Sequence, residues 1–173
     1  GKIGKNSIVE LPYAHGKFAM YVILPDIKGG NGVESLLSSL TQKSWSEALA
    51  SMSNDALVQL RFPRFEIEDK YNLNKMLQAL GISRAFIPNK AQFDKLLSHS
   101  GINNFFIESV LQKARINVTE WGTEAAAVTA VMIGVTSIPG QPDKAIEFFA
   151  DHPFVYAIVE KSSGVMLFAG VYK

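Results

Sequence analysis

Two apolar runs near the start of the chain predict a β-hairpin. Residues 8–12 and 18–24 are rich in β-branched and aromatic side chains, and His15-Gly16 between them suits a turn. Pro25 follows the second run directly, and proline does not continue a central strand. We therefore expect two antiparallel strands that end before residue 26.

The pattern changes to a helical period after this hairpin. Residues 33–40 predict one short helix, and a second is predicted after Thr41 or Ser44, both of which are suitable cap residues. The apolar positions that share one face in each helix are Leu36, Leu37 and Leu40, then Trp45, Ala48 and Leu49.

A strand, a break and a third helix are predicted next. Residues 56–62 favour a strand, Pro63 interrupts it, and residues 65–67 resume an extended pattern. Asp69 is positioned to cap a helix over residues 71–80, which Gly81 would end. We expect the apolar stripe of this helix to face the core; its members are Leu73, Met76, Leu77 and Leu80.

The remaining pattern is mostly extended. Residues 85–104 are polar and irregular, whereas residues 105–119 predict a long strand. Residues 154–159 and 165–171 predict two more strands, joined by a turn at residues 161–164. The fold class is therefore α+β, with mostly antiparallel sheets and a few short helices.

Composition restricts the classes of partner. The chain is 47% hydrophobic and 19% charged, which is typical of a globular protein, and 17 basic residues against 16 acidic ones give a net charge of +1. This balance does not favour nucleic acid or an anionic membrane, so a protein partner is expected. The chain has no cysteine, which excludes a disulfide framework and a thiol nucleophile. Residues 1–7 lack the apolar run of a signal peptide.

The candidate catalytic groups do not form a recognisable site. His15, His99 and His152 are the only residues of the type that commonly serves as a base near neutral pH, and none has a partner at metal-ligand or general-base spacing. The sequence also lacks a GxSxG elbow, a glycine-rich phosphate loop and a CxxC pair. We therefore predict a protein that is not an enzyme and that has no metal and no cofactor.

The segment that follows residue 119 is the unusual feature of the sequence. Residues 125–142 carry no charge, but their threonines, glycines and prolines argue against a membrane span. Alanine content allows a helix over residues 124–132, although Gly134, Pro139 and the β-branched residues oppose it. As a strand, the segment would place Glu124 on one face and an uncharged set on the other: Thr123, Ala125, Ala127, Thr129, Val131 and Ile133. Such a strand could enter the middle of a sheet without burying a charge.

Several short motifs are distributed along the chain: Glu120-x-Gly-Thr-Glu-Ala-Ala-Ala-x-Thr129, Ala150-Asp-His-Pro-Phe154, Leu167-Phe-Ala-Gly170, Leu24-Pro-Asp26, Phe62-Pro-Arg-Phe65, and Tyr71-Asn-Leu73 with Leu77, Leu80-Gly-Ile82 and Ala85-Phe86. Together they resemble the serpin family of serine protease inhibitors. The resemblance extends over about residues 8–172, which corresponds to the C-terminal half of a complete serpin.

The resemblance implies a reactive-centre loop over about residues 121–144. In serpins the peptidase cuts fourteen residues after the hinge glycine, which implies a scissile bond at Thr136-Ser137. Small residues there suggest an elastase-like or subtilisin-like serine peptidase. The cleaved loop would insert as a strand and trap the acylated peptidase. The implied hinge residues are Glu120, Gly122, Thr123, Glu124, Ala125, Ala126, Ala127 and Thr129.

The same resemblance makes Arg64 the expected salt-bridge partner of Glu120, with an ordinary surface ion pair as the equal alternative. One departure is Gln112, where many serpins have a histidine. Without the N-terminal half, the chain is expected to pair with that missing half or with itself. Family resemblance favours a secreted or periplasmic protein. The alternative functions are a non-inhibitory serpin-like binding or structural module, and an inactive fragment of an inhibitor.

Overall fold

The computed structural model describes residues 1–53, 57–93, 105–120, 122–123 and 145–173, which divide into two units, Gly1–Arg64 with Val118–Lys173, and Phe65–Asn117. The first unit contains the strands β1 (Lys2–Ile3), β2 (Asn6–Tyr13), β3 (Phe18–Leu24), β4 (Val58–Arg61), β7 (Gly122–Thr123), β8 (Ile146–Phe149), β9 (Phe154–Glu160) and β10 (Met166–Tyr172), and the helices α1 (Gly32–Ser39) and α2 (Gln42–Ala50). The second contains β5 (Phe65–Asn72), α3 (Asn74–Ala79), a 3-10 turn at Arg84–Phe86 and most of β6 (Leu111–Thr119).

The first unit is built on an antiparallel sheet of strand order β1-β2-β3-β9-β10. The predicted hairpin is confirmed, with Ser7 paired to Leu24 and Tyr13 paired to Phe18 at the two ends of its ladder. Strand β3 is the middle strand of this sheet, and every residue from Ala19 to Ile23 is buried. A strand that is covered on both faces has a continuous run of apolar residues, as here.

Helices α1 and α2 cover one face of this sheet. Leu36 and Ala48 are their buried contacts in a cluster that includes Tyr21, and the Tyr21 ring meets the Trp45 ring edge-on at a centroid distance of 5.4 Å. Of the two cap residues predicted for α2, Thr41 is the N-cap: the Ser44 N–H donates to Thr41 Oγ1 and the Thr41 N–H donates to Ser44 Oγ.

A parallel pair, β4 with β8, also belongs to the first unit. Val58 pairs with Ile146 and Arg61 with Phe149, and the Arg61 guanidinium lies 4.4 Å from the centroid of the Phe149 ring. Neither β8 nor its parallel pairing was predicted, since four residues of mixed polarity carry little periodic signal.

The second unit differs from prediction in its helix. Strand β5 extends to Asn72, so α3 begins at Asn74 and not at residue 71, and Asp69 accepts a hydrogen bond from the Tyr71 hydroxyl and does not cap the helix. Pairing between β5 and β6 explains the longer strand, because ladder hydrogen bonds outweigh a weak helix propensity. The predicted core stripe is also wrong in this chain: Met76 and Leu80 are 62% and 75% exposed.

Strand β6 begins six residues later than the predicted start at residue 105. The Leu73 N–H donates to Val110 O at 2.9 Å and the Ile107 N–H donates to Ala85 O at 2.8 Å, so residues before Leu111 bond to the α3 region outside a regular ladder. Burial then alternates along the end of β6, where Ile116 and Val118 are buried and Asn117 is not.

Candidate functional site

The chain turns back on itself immediately after β6. Thr119 pairs with Gly122 and Val118 with Thr123, so β7 begins an antiparallel ladder on β6. In the three-stranded sheet β7 lies beside β6 on the side opposite β5. Gly122 and Thr123, which belong to the predicted hinge, are therefore paired as a strand with the end of β6.

Arg64 and Glu120 lie together at this turn. Arg64 Nη1 is 3.2 Å from Glu120 Oε1, and the two side chains are 73% and 62% exposed. Phe62 and Pro63 separate Arg64 from β4, which leaves Arg64 in the short link before β5, while Glu120 directly follows β6. The contact predicted from the sequence is present, and its role at the hinge remains a prediction.

Reversing one charge of this pair should have a small effect. Arg64→Glu places two carboxylates together, so we expect a loss of about 0.5–1 kcal/mol of unfolding free energy, because both side chains are solvated. The double variant Arg64→Glu/Glu120→Arg should recover most of this loss in urea unfolding of the full-length protein. A double variant no more stable than Arg64→Glu would argue against a direct interaction.

After residue 144 the chain enters β8. The link from β8 to β9 carries a group of polar contacts around Asp151, which we call the Asp151 staple. Asp151 Oδ2 accepts from Lys28 Nζ at 3.0 Å, His152 Nδ1 lies 2.7 Å from Asp151 Oδ1, and His152 Nε2 lies 2.8 Å from Pro25 O. The hydrogen bond from His152, and then that from Lys28, lower the pKa of Asp151 from 3.8 to about 2. These contacts connect the β8–β9 link to the loop after β3.

The Asp151 carboxylate should make stability depend on pH in the acid range. Its pKa is lower in the folded protein than in the unfolded chain, so its contribution is present above about pH 4 and is lost as pH falls towards about 2. Asp151→Asn should remove that part of the dependence. Urea midpoints of both proteins between pH 2 and pH 6 would test this; parallel curves for wild type and Asp151→Asn would contradict it.

Of the other site residues predicted from the sequence, some lie within the described residues and some lie outside them. His15 lies in the hairpin turn, whereas His99 lies outside the described residues. Outside them also lie the remaining hinge residues and the predicted scissile bond: Glu124, Ala125, Ala126, Ala127, Thr129, Thr136 and Ser137. Sequence reasoning missed the Asp151 staple, because its partner Lys28 is 123 positions away and no local pattern joins them.

The described part of the chain contains neither a metal-binding cluster nor a membrane-spanning helix. Among those residues, no group of three histidine, aspartate or glutamate side chains is arranged to hold a metal ion. None of the helices there has the length and apolar character needed to cross a membrane.

The sequence is similar to a known protein family and to individual members of it. A family model described as "Serpin (serine protease inhibitor)" matches residues 3–173. Human Serpin B12 is 34% identical over 171 residues, which cover 96% of this chain and 40% of that protein. Iripin-3 from Ixodes ricinus is 38% identical over 167 residues, covering 94% and 39%.

Solved structures agree with these relatives. The native crystal structure of the thermophilic serpin tengpin matches with a TM-score of 0.74 and 31% identity, over 98% of this chain and 42% of that one. The likeness confirms the predicted α+β fold. The chain spans about 40% of the length of the curated relatives it matches.

Proposed function

Because this chain belongs to the serpin family, we propose that the protein carrying it inhibits serine-type endopeptidases as a suicide substrate. The family is described as one of serine protease inhibitors and not of enzymes, so the prediction that the chain is not an enzyme is confirmed. In the proposed mechanism, a peptidase cuts the loop within residues 121–144, and the cleaved loop then joins the β5-β6 sheet as a strand.

The observation that carries the proposal is the ladder between β7 and β6. Val118 pairs with Thr123 and Thr119 with Gly122, so continuing this register would set residues 124–130 opposite residues 111–117. Each added pair would gain ladder hydrogen bonds. Insertion would therefore lengthen an existing strand and would not require a new one to be nucleated.

The same register agrees with the composition of the hinge. Residues paired directly across a ladder lie on the same face of a sheet. In the inserted strand Ala125 would share the face of Ile116, which is 7% exposed, while Glu124 would share the face of Asn117, which is not buried. The charged hinge residue thus takes the outer face.

The cleavage site and the target are finer parts of the proposal. Family spacing supports a cut at Thr136-Ser137, and small residues there suit an elastase-like or subtilisin-like peptidase. The fourteen residues 123–136 would form a strand about 45 Å long, enough to carry a peptidase far from its point of attack.

We further propose that this chain is the C-terminal portion of one serpin domain, residues 1–173. Its exposed apolar residues support this, because β10 is the last strand of its sheet within the described residues and Met166, Leu167 and Phe168 are each nearly half exposed. The preceding portion of the domain, or a second copy of the chain, would cover them.

The test mixes the full-length protein with elastase-like and subtilisin-like peptidases and analyses the products by denaturing gels and mass spectrometry. We expect a denaturant-resistant complex joined at Thr136 and a released peptide that begins at Ser137. Cleavage in residues 121–144 without any complex, at every enzyme ratio, would overturn inhibition and leave a non-inhibitory binding module.

A further inference from the structure

One side chain at the start of α3 bonds the backbone that leads into β6. Asn74 Nδ2 donates to Glu108 O at 2.8 Å, and Asn74 Oδ1 accepts from the Val110 N–H at 2.8 Å. The Asn74 side-chain amide therefore donates one hydrogen bond to, and accepts another from, the same short stretch of backbone. Its two partners lie 34 and 36 residues away in sequence. A carboxylate or an apolar side chain could not make both bonds.

Neighbouring backbone groups complete this contact. The Leu73 N–H donates to Val110 O at 2.9 Å, and Asn72 Oδ1 accepts from the Asn74 N–H at 3.0 Å, which orients the Asn74 backbone. Both backbone groups of Val110 are thus bonded to the segment that directly follows β5. Val110 is the last residue before β6, so these bonds set where that strand begins.

The direction of these bonds determines which edge of β6 remains available. A strand residue directs its N–H and C=O to one neighbouring strand, and the next residue directs them to the other. Since Val110 bonds towards β5, the alternation directs odd-numbered residues from 111 to 119 to the opposite edge. That is the edge on which Thr119 pairs with Gly122.

We propose that Asn74 is a positioning residue for loop insertion: it holds Val110 on the β5 side, so that the opposite edge of β6 stays in register as far as Leu111. Leu111 is the register partner that residue 130 would meet. This inference rests on the proposed function, in which β6 is the template for the inserted strand. Strand β7 pairs with one end of β6, and Asn74 bonds the backbone just before the other end.

Loss of the Asn74 contact should change the outcome of the competition between strand insertion and hydrolysis of the acyl bond, which begins once the loop is cut. Insertion must finish before the peptidase hydrolyses the acyl bond, and a template whose far end has come loose should accept the strand more slowly. More inhibitor would then be cleaved without trapping. Recognition and cutting of the loop should not change, because Asn74 lies outside residues 121–144.

The experiment compares Asn74→Ala, Asn74→Asp and the control Gln78→Ala, an exposed position on the same helix, in the full-length protein. Asn74→Asp retains an acceptor for Val110 and loses the donor to Glu108. We expect Asn74→Ala to raise the number of inhibitor molecules consumed per trapped peptidase about threefold or more, given two lost hydrogen bonds. Asn74→Asp should be intermediate and Gln78→Ala should match wild type, with equal rates of loop cleavage throughout.

Amide hydrogen exchange at Val110 should also quicken in Asn74→Ala, because the Val110 N–H loses its acceptor. An Asn74→Ala protein that melts earlier but keeps the wild-type stoichiometry would reduce Asn74 to a structural residue and overturn the proposal. If Asn74→Ala does not fold, Asn74→Asp carries the same comparison. A wild type that is cleaved but never traps would overturn the proposed function and this role together, whereas trapping with unchanged stoichiometry overturns this role alone.

Discussion

Ala125→Glu is expected to turn the inhibitor into a substrate, whereas Ala126→Glu, one residue further on, should leave trapping intact. If the register of β7 on β6 continued beyond Thr123, it would set residue 125 opposite Ile116 and residue 126 opposite Arg115. Ile116 is buried, while the Arg115 side chain is about half exposed and donates to Glu66 at 2.8 Å. The same substitution would therefore meet a buried face at one position and a solvated, basic one at the next.

The expected size follows from the cost of burying a charge. A carboxylate placed without a partner on the buried face of the sheet is strongly disfavoured, so insertion should lose the competition with deacylation by about tenfold or more. At position 126 the added carboxylate stays in water next to a guanidinium, where surface pairing changes stability by at most about 1 kcal/mol. The two variants differ in register position alone.

The measurement is the fraction of cleaved inhibitor that appears as a denaturant-resistant complex, at a fixed ratio of peptidase to full-length protein. Loop cleavage should proceed at similar rates in both variants. Equal trapping by Ala125→Glu and Ala126→Glu would show that the β7 register does not continue into the inserted strand. Loss of trapping in Ala126→Glu alone would place the buried face on the opposite residues.

Gly32→Ala should destabilise the folded protein by about 3 kcal/mol. A Cβ at residue 32 would lie 2.3 Å from Ile27 O and 3.2 Å from Pro25 Cβ. The clashing atom belongs to the backbone, so no side-chain rotation relieves it. Moving α1 away instead would pull Leu36, which is 2% exposed, out of the core beneath the sheet.

Gly30→Ala is the matched control, because a Cβ there meets no atom within 4 Å. Urea unfolding of the two full-length variants should give a much lower midpoint for Gly32→Ala and a midpoint close to wild type for Gly30→Ala. Equal midpoints would mean that the loop before α1 shifts at little cost, contrary to the close approach of Gly32 to Ile27.

Local patterns predicted the elements whose hydrogen bonds are local or whose burial is periodic. The hairpin of β2 and β3 and the cap at Thr41 follow from alternation, turn residues and a side chain that bonds three positions away. The start of α3 and the start of β6 were predicted wrongly for the opposite reason. Asn74 and Val110 bond to each other across 36 residues, and no window of sequence contains both.

The residues of the candidate site show the same difference between local patterns and long-range contacts. The sequence identified Glu120 and Arg64 only through family resemblance, since an ion pair between residues 56 positions apart leaves no periodic signal. It did not indicate the Asp151 staple, although the Ala150-Asp-His-Pro-Phe154 motif was recognised. A motif marks which residues matter, while the contact partner depends on how the chain folds back.

The sequence by itself determined that a segment with small, uncharged alternate residues follows a β-strand, because side-chain size and charge are properties of the residues alone. It also determined the apolar run that makes β3 a central strand. Only the tertiary structure decided that Thr123 pairs with Val118 and that Asn74 holds the start of β6. Register and long-range hydrogen bonds are relations between distant parts of the chain, so they exist only once those parts have been brought together.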